Sequence, residues 1–144
     1  MKLAIASDHA GYVLKEAIKK AFDEHQFVDF GTYSENSMDY PDVGYPAAWA
    51  VSKGECEMGI LICGSGIGMS ITANKVPGIR AALCSMTDIA RLSRMHNDAN
   101  VLVLAGRFTA EAYAKEIVKV WLSTSFEGGR HQNRLKKIHQ GETK

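Results

Sequence analysis

The 144-residue sequence has few cysteines, no excess of charge of one sign and no long apolar run. Its three cysteines, Cys56, Cys63 and Cys84, form no CxxC pair and have no zinc-ligand spacing. This excludes a disulfide framework and indicates free thiols. Lysine and arginine number 17 against 16 aspartate and glutamate residues, so the charge favours neither nucleic acid nor an anionic membrane as a partner.

The apolar segments are also short. The stretch at the start is too brief for a signal-peptide core, and no later run approaches the roughly 18 residues of a membrane span. We therefore expect a cytoplasmic protein. Hydrophobic residues make up 46% of the sequence and charged residues 23%, which is typical of a globular protein. Length and composition together predict a single domain over residues 1–144.

Short apolar segments alternate with segments of helical periodicity. Strands are predicted at residues 3–6, 28–30, 58–63, 79–84 and 101–105. Most of them are apolar on both faces, as expected for parallel strands covered by helices on both sides. The pattern predicts a three-layer α/β/α sandwich around a mainly parallel sheet of five strands. In such sheets, ligands bind beyond the carboxyl ends of the strands, near the point where strand order reverses.

Capping residues and proline predict where several helices begin. The clearest helix has apolar residues at positions 110, 113, 114, 117, 118 and 121, behind Thr109 as its predicted N-cap. Thr87 is predicted to cap a helix that runs toward His96. Pro46 suits the first turn of a helix that ends near Gly54.

A glycine-rich loop, CGSGIGMS at 63–70, follows a predicted strand and opens a helix. Its glycines can expose consecutive backbone N–H groups to an anion, although tight packing of strand on helix would also require them. The loop lacks the lysine of a P-loop and the third glycine of a dinucleotide fingerprint. Cys63 favours a functional loop, because a thiol at a helix N-terminus is well placed to act as a base or nucleophile. Cys56 and Cys84 lack that setting and are interpreted as structural.

Two other polar pairs lie near predicted element ends. Asp8 and His9 follow the first strand, where a carboxylate and an imidazole could orient and protonate hydroxyl groups. Asp8 could equally cap the first helix. His96 and Asn97 lie where a helix ends, and a histidine there also interacts favourably with the helix dipole.

Two arginines near the end of the chain predict an anion site. Gly128 and Gly129 lead into a helix in which Arg130 and Arg134 stand four residues apart on one face. Arginine in a first turn opposes the helix dipole, so a bound phosphate would relieve this conflict and accept bidentate hydrogen bonds. A solvated basic helix is the alternative.

Five motifs at consistent separations resemble the type B ribose-5-phosphate isomerase family. They are SDHAG at 7–11, DYPD at 39–42, CGSGIGMSI at 63–71, HNDAN at 96–100 and GGRHQNR at 128–134. The family, which acts in carbohydrate metabolism, also contains allose-6-phosphate and galactose-6-phosphate isomerases. The resemblance implies a Rossmann-like homodimer with active sites between subunits, which could pair further into a tetramer. It implies no metal and no organic cofactor.

The resemblance also implies a role for each matching residue. Cys63 is expected to move the proton between C1 and C2 of the sugar, while Ser65 and the neighbouring backbone hold the enediolate oxygens. His96 is expected to assist opening of the furanose ring. The residues implied in substrate binding are Asp8, His9, Tyr40, Gly64, Gly66, Ile67, Gly68, Asn97, Arg107, Arg130 and Arg134.

Two positions depart from common family patterns. Ser65 stands where many members have threonine, and it keeps the hydroxyl. Met69 stands where one branch has a glutamate base, and it cannot accept a proton. The resemblance therefore places the sequence in the cysteine branch. We expect base, ring-opening acid, enediolate cradle and phosphate anchor at one edge of the sheet, with some of them supplied by a partner chain.

Other functions are also compatible with the sequence. A hexose-6-phosphate isomerase would use the same chemistry and accommodate one more carbon near Tyr40. A non-catalytic sugar-phosphate-binding module would use the glycine loop, but it leaves Cys63, His96 and Asp8 without a shared purpose. A nicotinamide-dependent reductase would need an acid about 20 residues past the glycines. Asp88 is near that spacing, but it lies in the first turn of a helix, where a dipole role suffices.

Overall fold

The computed structural model describes residues 1–143, whose strands form one sheet. The strands are β1 (Lys2–Ser7), β2 (Gln26–Asp29), β3 (Met58–Cys63), β4 (Ala81–Leu83) and β5 (Val101–Ala105). All neighbouring pairs are parallel, and the strand order is β2-β1-β3-β5-β4. The order reverses between β1 and β3, so a crevice is expected beyond the carboxyl ends of these two strands.

Helices cover both faces of this sheet. They are α1 (Tyr12–Ala21), α2 (Pro41–Ser52), α3 (Ile67–Asn74), α4 (Thr87–Met95), α5 (Glu111–Ser123) and α6 (Arg130–Gln140). One apolar core lies between the sheet and α2 and α3, and a second lies between the sheet and α1, α4 and α5. The predicted three-layer α/β/α architecture with a parallel five-stranded sheet is confirmed. In the described residues, no helix has the length and apolar character needed to cross a membrane.

The central strands bury alternate residues in the two cores. Ile60 and Ile62 of β3 face the core beneath α1 and α5, whereas Leu61 faces the core beneath α2 and α3. The small Ala4 and Ala6 of β1 also face the core beneath α2 and α3, where they leave room for the alanine-rich α2. Burial on both faces explains why the strands have no polar alternation.

The second helix begins earlier than its sequence predicts. α2 starts at Pro41, so Pro46 lies inside the helix and the prediction that it stands in the first turn was wrong. Pro41 already supplies the fixed φ that suits a first turn, and Pro46 removes only one N–H donor from the helix. The predicted end is close to the observed one, since Gly54 follows the C-cap residue with φ of 79°.

Neither threonine is an N-cap, so both capping predictions were wrong. Thr87 is the first residue of α4, and its N–H donates to the hydroxyl of Tyr113 over 3.1 Å. This tertiary contact satisfies a backbone N–H in the first turn of α4, which a side-chain cap would otherwise accept. Thr109 precedes Ala110, which is the N-cap of α5, and Glu111 in the first turn suits the helix dipole.

A fully buried lysine ties α1 to the end of β2. Lys15 Nζ lies 2.7 and 2.6 Å from the two carboxylate oxygens of Asp29 and donates to the carbonyl of Thr32 over 2.7 Å. Burial of Asp29 favours its neutral form, but hydrogen bonds from Lys15, Lys19 and the N–H of Gly31 outweigh burial and lower its pKa. The contact fixes the chain where it leaves β2 toward the segment that carries Tyr40.

We expect Lys15→Met to lower the free energy of unfolding by about 3 kcal/mol near pH 7, measured by chemical denaturation. The value is at the lower end for a broken buried ion pair because Lys19 still contacts Asp29. The lowered pKa of Asp29 means that this contribution is complete above the ordinary value of 3.8 and disappears as the pH falls through the folded-state pKa. The difference from wild type should therefore shrink below about pH 4. Lys20→Met, at an exposed position, is the control, and an equal effect of both substitutions would contradict the assignment.

Candidate active site

A cavity of about 510 Å³ opens beyond the carboxyl ends of β1 and β3. This is the edge at which strand order reverses, as predicted for ligand binding. The cavity is lined by Asp8, Tyr40, Cys63, Gly64, Ser65, Ile67, Gly68, Ile71, Arg107 and Phe108. The structure thus brings together residues from three of the five sequence motifs described above, with Arg107 and Phe108 from the turn after β5. The motifs that follow α4 and α5 do not contribute to this cavity.

The glycine loop positions the thiol and the backbone donors. Cys63 is the last residue of β3, and α3 begins four residues later. Gly66 has φ of 78°, and a Cβ there would overlap the side chain of Leu83, so the turn requires glycine. Ser65 Oγ accepts a hydrogen bond from the N–H of Ile67 over 3.2 Å. The first turn of α3 therefore presents its N–H groups beside Cys63.

Neighbouring segments pack closely against this loop. A Cβ on Gly68 would overlap the ring of Tyr40, so that ring lies directly against the first turn of α3. The N–H of Arg107 donates to the carbonyl of Gly64 over 3.0 Å, and the N–H of Gly106 donates to the carbonyl of Cys63 over 2.8 Å. These two bonds join the end of β5 to the glycine loop and place Arg107 at the cavity.

Asp8 caps a short turn and also lines the cavity. Its carboxylate accepts the N–H of Gly11 over 3.1 Å and caps the short 3-10 turn His9–Gly11, and the same buried side chain lines the cavity. His9 does not line the cavity. Its Nδ1 accepts the N–H of Met38 over 3.3 Å, which holds the segment that leads to Tyr40.

His96, Asn97, Arg130 and Arg134 lie at the opposite edge of the sheet. α4 starts beyond the carboxyl end of β4 and runs back along the sheet, so its C-cap, His96, lies where β5 begins. The N–H of Glu127 donates to the carbonyl of Met95 over 3.0 Å, which brings the start of α6 to the same place. Within one chain, these four residues therefore do not share an edge with Cys63, because a crossover helix delivers its last residues to the edge opposite the one at which it starts. That a partner chain brings them to the edge of Cys63 stays a prediction.

At this second edge, the ring of His96 stacks on the ring of His131, with centroids 4.3 Å apart and planes 18° from parallel. The carboxylate of Glu127 lies 3.5 Å from His131 and 3.9 Å from His96. Burial, and then the nearby His96 and Arg130, lower the pKa of His131. Sequence reasoning missed both Glu127 and His131, because Glu127 precedes α6 and is separated from it by Gly128 and Gly129, so no helical spacing indicated the pair.

The segment that carries His96 and Asn97 is held by two other arginines. Arg80 Nε donates to the carbonyl of Asp98 over 3.0 Å, and Arg94 Nη1 donates to the Asp98 carboxylate over 2.8 Å. Asp98 has φ of 46°, in the left-handed region that non-glycine residues seldom adopt. These bonds fix the turn between α4 and β5 that carries His96 and Asn97.

Residues 3–138 match the sequence model of a family described as Ribose/Galactose Isomerase. The chain belongs to the ribose/galactose isomerase family. The family recognised from the sequence motifs is thus confirmed. The match includes both edges of the sheet, so it covers the cavity around Cys63 and the cluster around His96.

Individual members of the ribose/galactose isomerase family resemble the chain over nearly its full length. Ribose-5-phosphate isomerase B of Escherichia coli is 47% identical over 139 residues, covering 95% of this chain and 93% of that protein. The structure of the Clostridium thermocellum ribose-5-phosphate isomerase B is similar with a TM-score of 0.98 and 50% identity, over 99% of this chain and 98% of that one. The Mycoplasma genitalium enzyme, solved with bound ribulose-5-phosphate, has a TM-score of 0.95 and 41% identity, over 99% and 97% of the two chains.

Proposed function

We propose that the chain is an isomerase that interconverts ribose 5-phosphate and ribulose 5-phosphate through an enediolate, with Cys63 as the base. The observation that carries the proposal is the position of Cys63 at the mouth of an anion-binding helix turn, in a cavity that also contains Asp8 and Arg107. Full-length similarity to ribose-5-phosphate isomerases B supports the same substrate.

The residues at the cavity suit each step of the reaction. After the furanose ring opens, the Cys63 thiolate removes the proton from C2 of the aldose, and the electron pair moves onto the C1 carbonyl oxygen. The resulting enediolate is held by Ser65 and the backbone N–H groups of Gly64, Gly66, Ile67 and Gly68. Return of the carbon-bound proton to C1 gives the ketose, as the hydroxyl proton of C2 passes to the C1 oxygen and the C2 oxygen becomes the carbonyl. Asp8 binds sugar hydroxyls, and Tyr40 lines the site.

The active site requires two copies of the chain, arranged as a homodimer. Because His96, Asn97, Arg130 and Arg134 lie at the edge opposite Cys63, they serve the site of a partner copy, where His96 assists ring opening. Ile67 and Ile71 support this proposal, because they are more than half exposed beside the cavity and would be covered by a second chain. Arg107 completes the sugar-phosphate site, and His9 supports it by holding the segment that leads to Tyr40. The free and buried thiols of Cys56, Cys63 and Cys84 suit a reducing cytoplasmic location.

Arg130 and Arg134 are proposed to bind the phosphate. Both are exposed and stand one helical turn apart at the start of α6, where the helix dipole also favours an anion. Binding energy at this non-reacting group would hold C1 and C2 at Cys63.

We expect Arg134→Gln to lower kcat/KM for ribose 5-phosphate by about 10-fold to 100-fold, mainly through KM, because it removes charge-assisted hydrogen bonds. Initial rates over a range of substrate concentrations would measure this change. Lys136→Gln removes one positive charge from the opposite side of the same helix and should leave KM unchanged. Equal changes in the two variants would indicate a general effect of charge and not a phosphate contact.

The proposed activity is tested by turnover of the purified protein on ribose 5-phosphate, allose 6-phosphate and galactose 6-phosphate in parallel, with EDTA present. We expect clear preference for ribose 5-phosphate. Activity on a hexose phosphate alone would keep the mechanism and change the substrate. Ligand binding without any turnover would replace the proposal with a sugar-phosphate-binding module.

A further inference from the structure

Two imidazoles and one carboxylate converge where the end of α4 meets the start of α6. One potential ligand atom from each of His96, Glu127 and His131 lies within 4.8 Å of the other two. Glu127 Oε2 is 3.5 Å from His131 Nε2 and 3.9 Å from His96 Nε2. These separations are too long for strong hydrogen bonds, so the three groups approach one another without binding one another directly.

We propose that His96, Glu127 and His131 form a binding site for a divalent metal ion of the zinc type. Two histidines and one glutamate are a known donor set for zinc, in which the fourth position is open to water or another ligand. With metal–ligand bonds of about 2.0–2.2 Å, neighbouring ligand atoms of a tetrahedral zinc site lie about 3.3–3.5 Å apart. The two carboxylate–imidazole separations, 3.5 and 3.9 Å, are close to this value. The two imidazoles stack with planes 18° from parallel, so the half-exposed His96 ring must turn out of the stack to direct its nitrogen at the ion that His131 and Glu127 bind.

The backbone holds these three residues in place before any metal binds. His131 lies in the first turn of α6 and is 5% exposed, while His96 is the C-cap of α4. The N–H of Glu127 is bonded to the carbonyl of Met95, the residue next to His96. Arg130 also lies in the first turn of α6, but solvent and salt screen its repulsion of a cation because the arginine is exposed.

Metal binding here has a consequence for catalysis, and this consequence depends on the function proposed above. A metal ion bound to the imidazole of His96 would occupy the nitrogen that assists ring opening. Zinc would therefore be a reversible inhibitor of an isomerase that needs no metal for its own reaction. Removal of zinc by a chelator should restore the activity.

The site can be tested without any assay of activity, by titrating zinc into metal-free protein in a calorimeter. We expect one zinc ion per chain for wild type. His131→Gln and the nearly isosteric Glu127→Gln should weaken binding by more than about 100-fold, since even residues that only contact a zinc ligand change affinity about 10-fold to 100-fold. His25→Gln is the matched control, because His25 also lies 3.5 Å from a glutamate but has no second imidazole in its group. Circular dichroism of each variant confirms that it is folded.

Cobalt substitution identifies the ligands. A site of nitrogen and oxygen donors should give visible d–d bands without the near-ultraviolet sulfur-to-cobalt band, whereas that band would place the metal on a cysteine and overturn the proposal. Wild-type affinity in both the His131 and the Glu127 variants, or no zinc binding at all, would also overturn it. Each variant's turnover with zinc is then divided by its own zinc-free turnover, so that inhibition by zinc is separated from the direct effect of the substitution. If zinc binds this site in a protein that isomerises nothing, the proposed function fails while the metal site stands.

Discussion

Replacement of Cys63 by alanine should reduce kcat for ribose 5-phosphate by about 10²-fold to 10⁴-fold, which is the usual contribution of a positioned general base. The thiol ends β3 and lies beside the N–H groups that open α3, and Met69 in the first turn of α3 cannot accept a proton in its place. Initial-rate measurements with ribose 5-phosphate would determine the loss.

The other two cysteines provide matched controls. Burial raises the pKa of Cys84 to about 11, so its thiol is neutral at ordinary pH and cannot act as the base. Burial also raises the pKa of Cys56. Cys56→Ala should therefore retain wild-type kcat, and far-ultraviolet circular dichroism would show that the Cys63 variant is folded. Isomerisation by Cys63→Ala at the wild-type rate would remove the cysteine mechanism.

Mixing two inactive variants should restore activity. We expect Cys63→Ala and His96→Gln each to lose nearly all turnover alone. If a site takes Cys63 from one chain and His96 from its partner, a dimer with one chain of each kind has one intact site and one doubly defective site. Random exchange places half of the dimers in this class, so the mixture should regain about a quarter of wild-type activity. Co-expression of the two variants, followed by initial-rate assays, would measure the recovery.

The same experiment separates a shared site from a site within one chain. Each variant expressed alone is the control, and neither should gain activity. If Cys63 and His96 acted within the same chain, the mixture would contain no intact site and would show only the sum of the two residual rates. That result would leave the cysteine chemistry in place and remove the homodimeric active site.

One half of the candidate site could be predicted closely because its parts are contiguous in the sequence. A buried strand, a glycine turn and a helix follow one another from Met58 to Asn74, and this order alone places Cys63 at the carboxyl edge of a parallel sheet. Asp8 could be placed there for the same reason, since it directly follows β1. Local order in the chain is sufficient when all the groups belong to one strand-to-helix turn.

The predicted helix starts show the limit of this local reasoning. Pro46 and Thr87 have residue types that favour a helix start, but α2 begins earlier at Pro41 and the first turn of α4 is served by the hydroxyl of Tyr113. Capping preferences amount to only about 1 kcal/mol, and a contact from a distant helix can replace them.

The sequence by itself determined the layered α/β fold and the family, because these follow from periodicity and from motifs contained in short segments. It also supplied the prediction that Cys63 is the base. Only the tertiary structure decided that His96 and Arg130 lie across the sheet from Cys63, and that His131 stacks on His96 beside Glu127. The buried pair of Lys15 and Asp29 is also a tertiary result. These contacts join residues from separate elements, and their geometry depends on how whole helices pack on the sheet, which no local pattern of residues encodes.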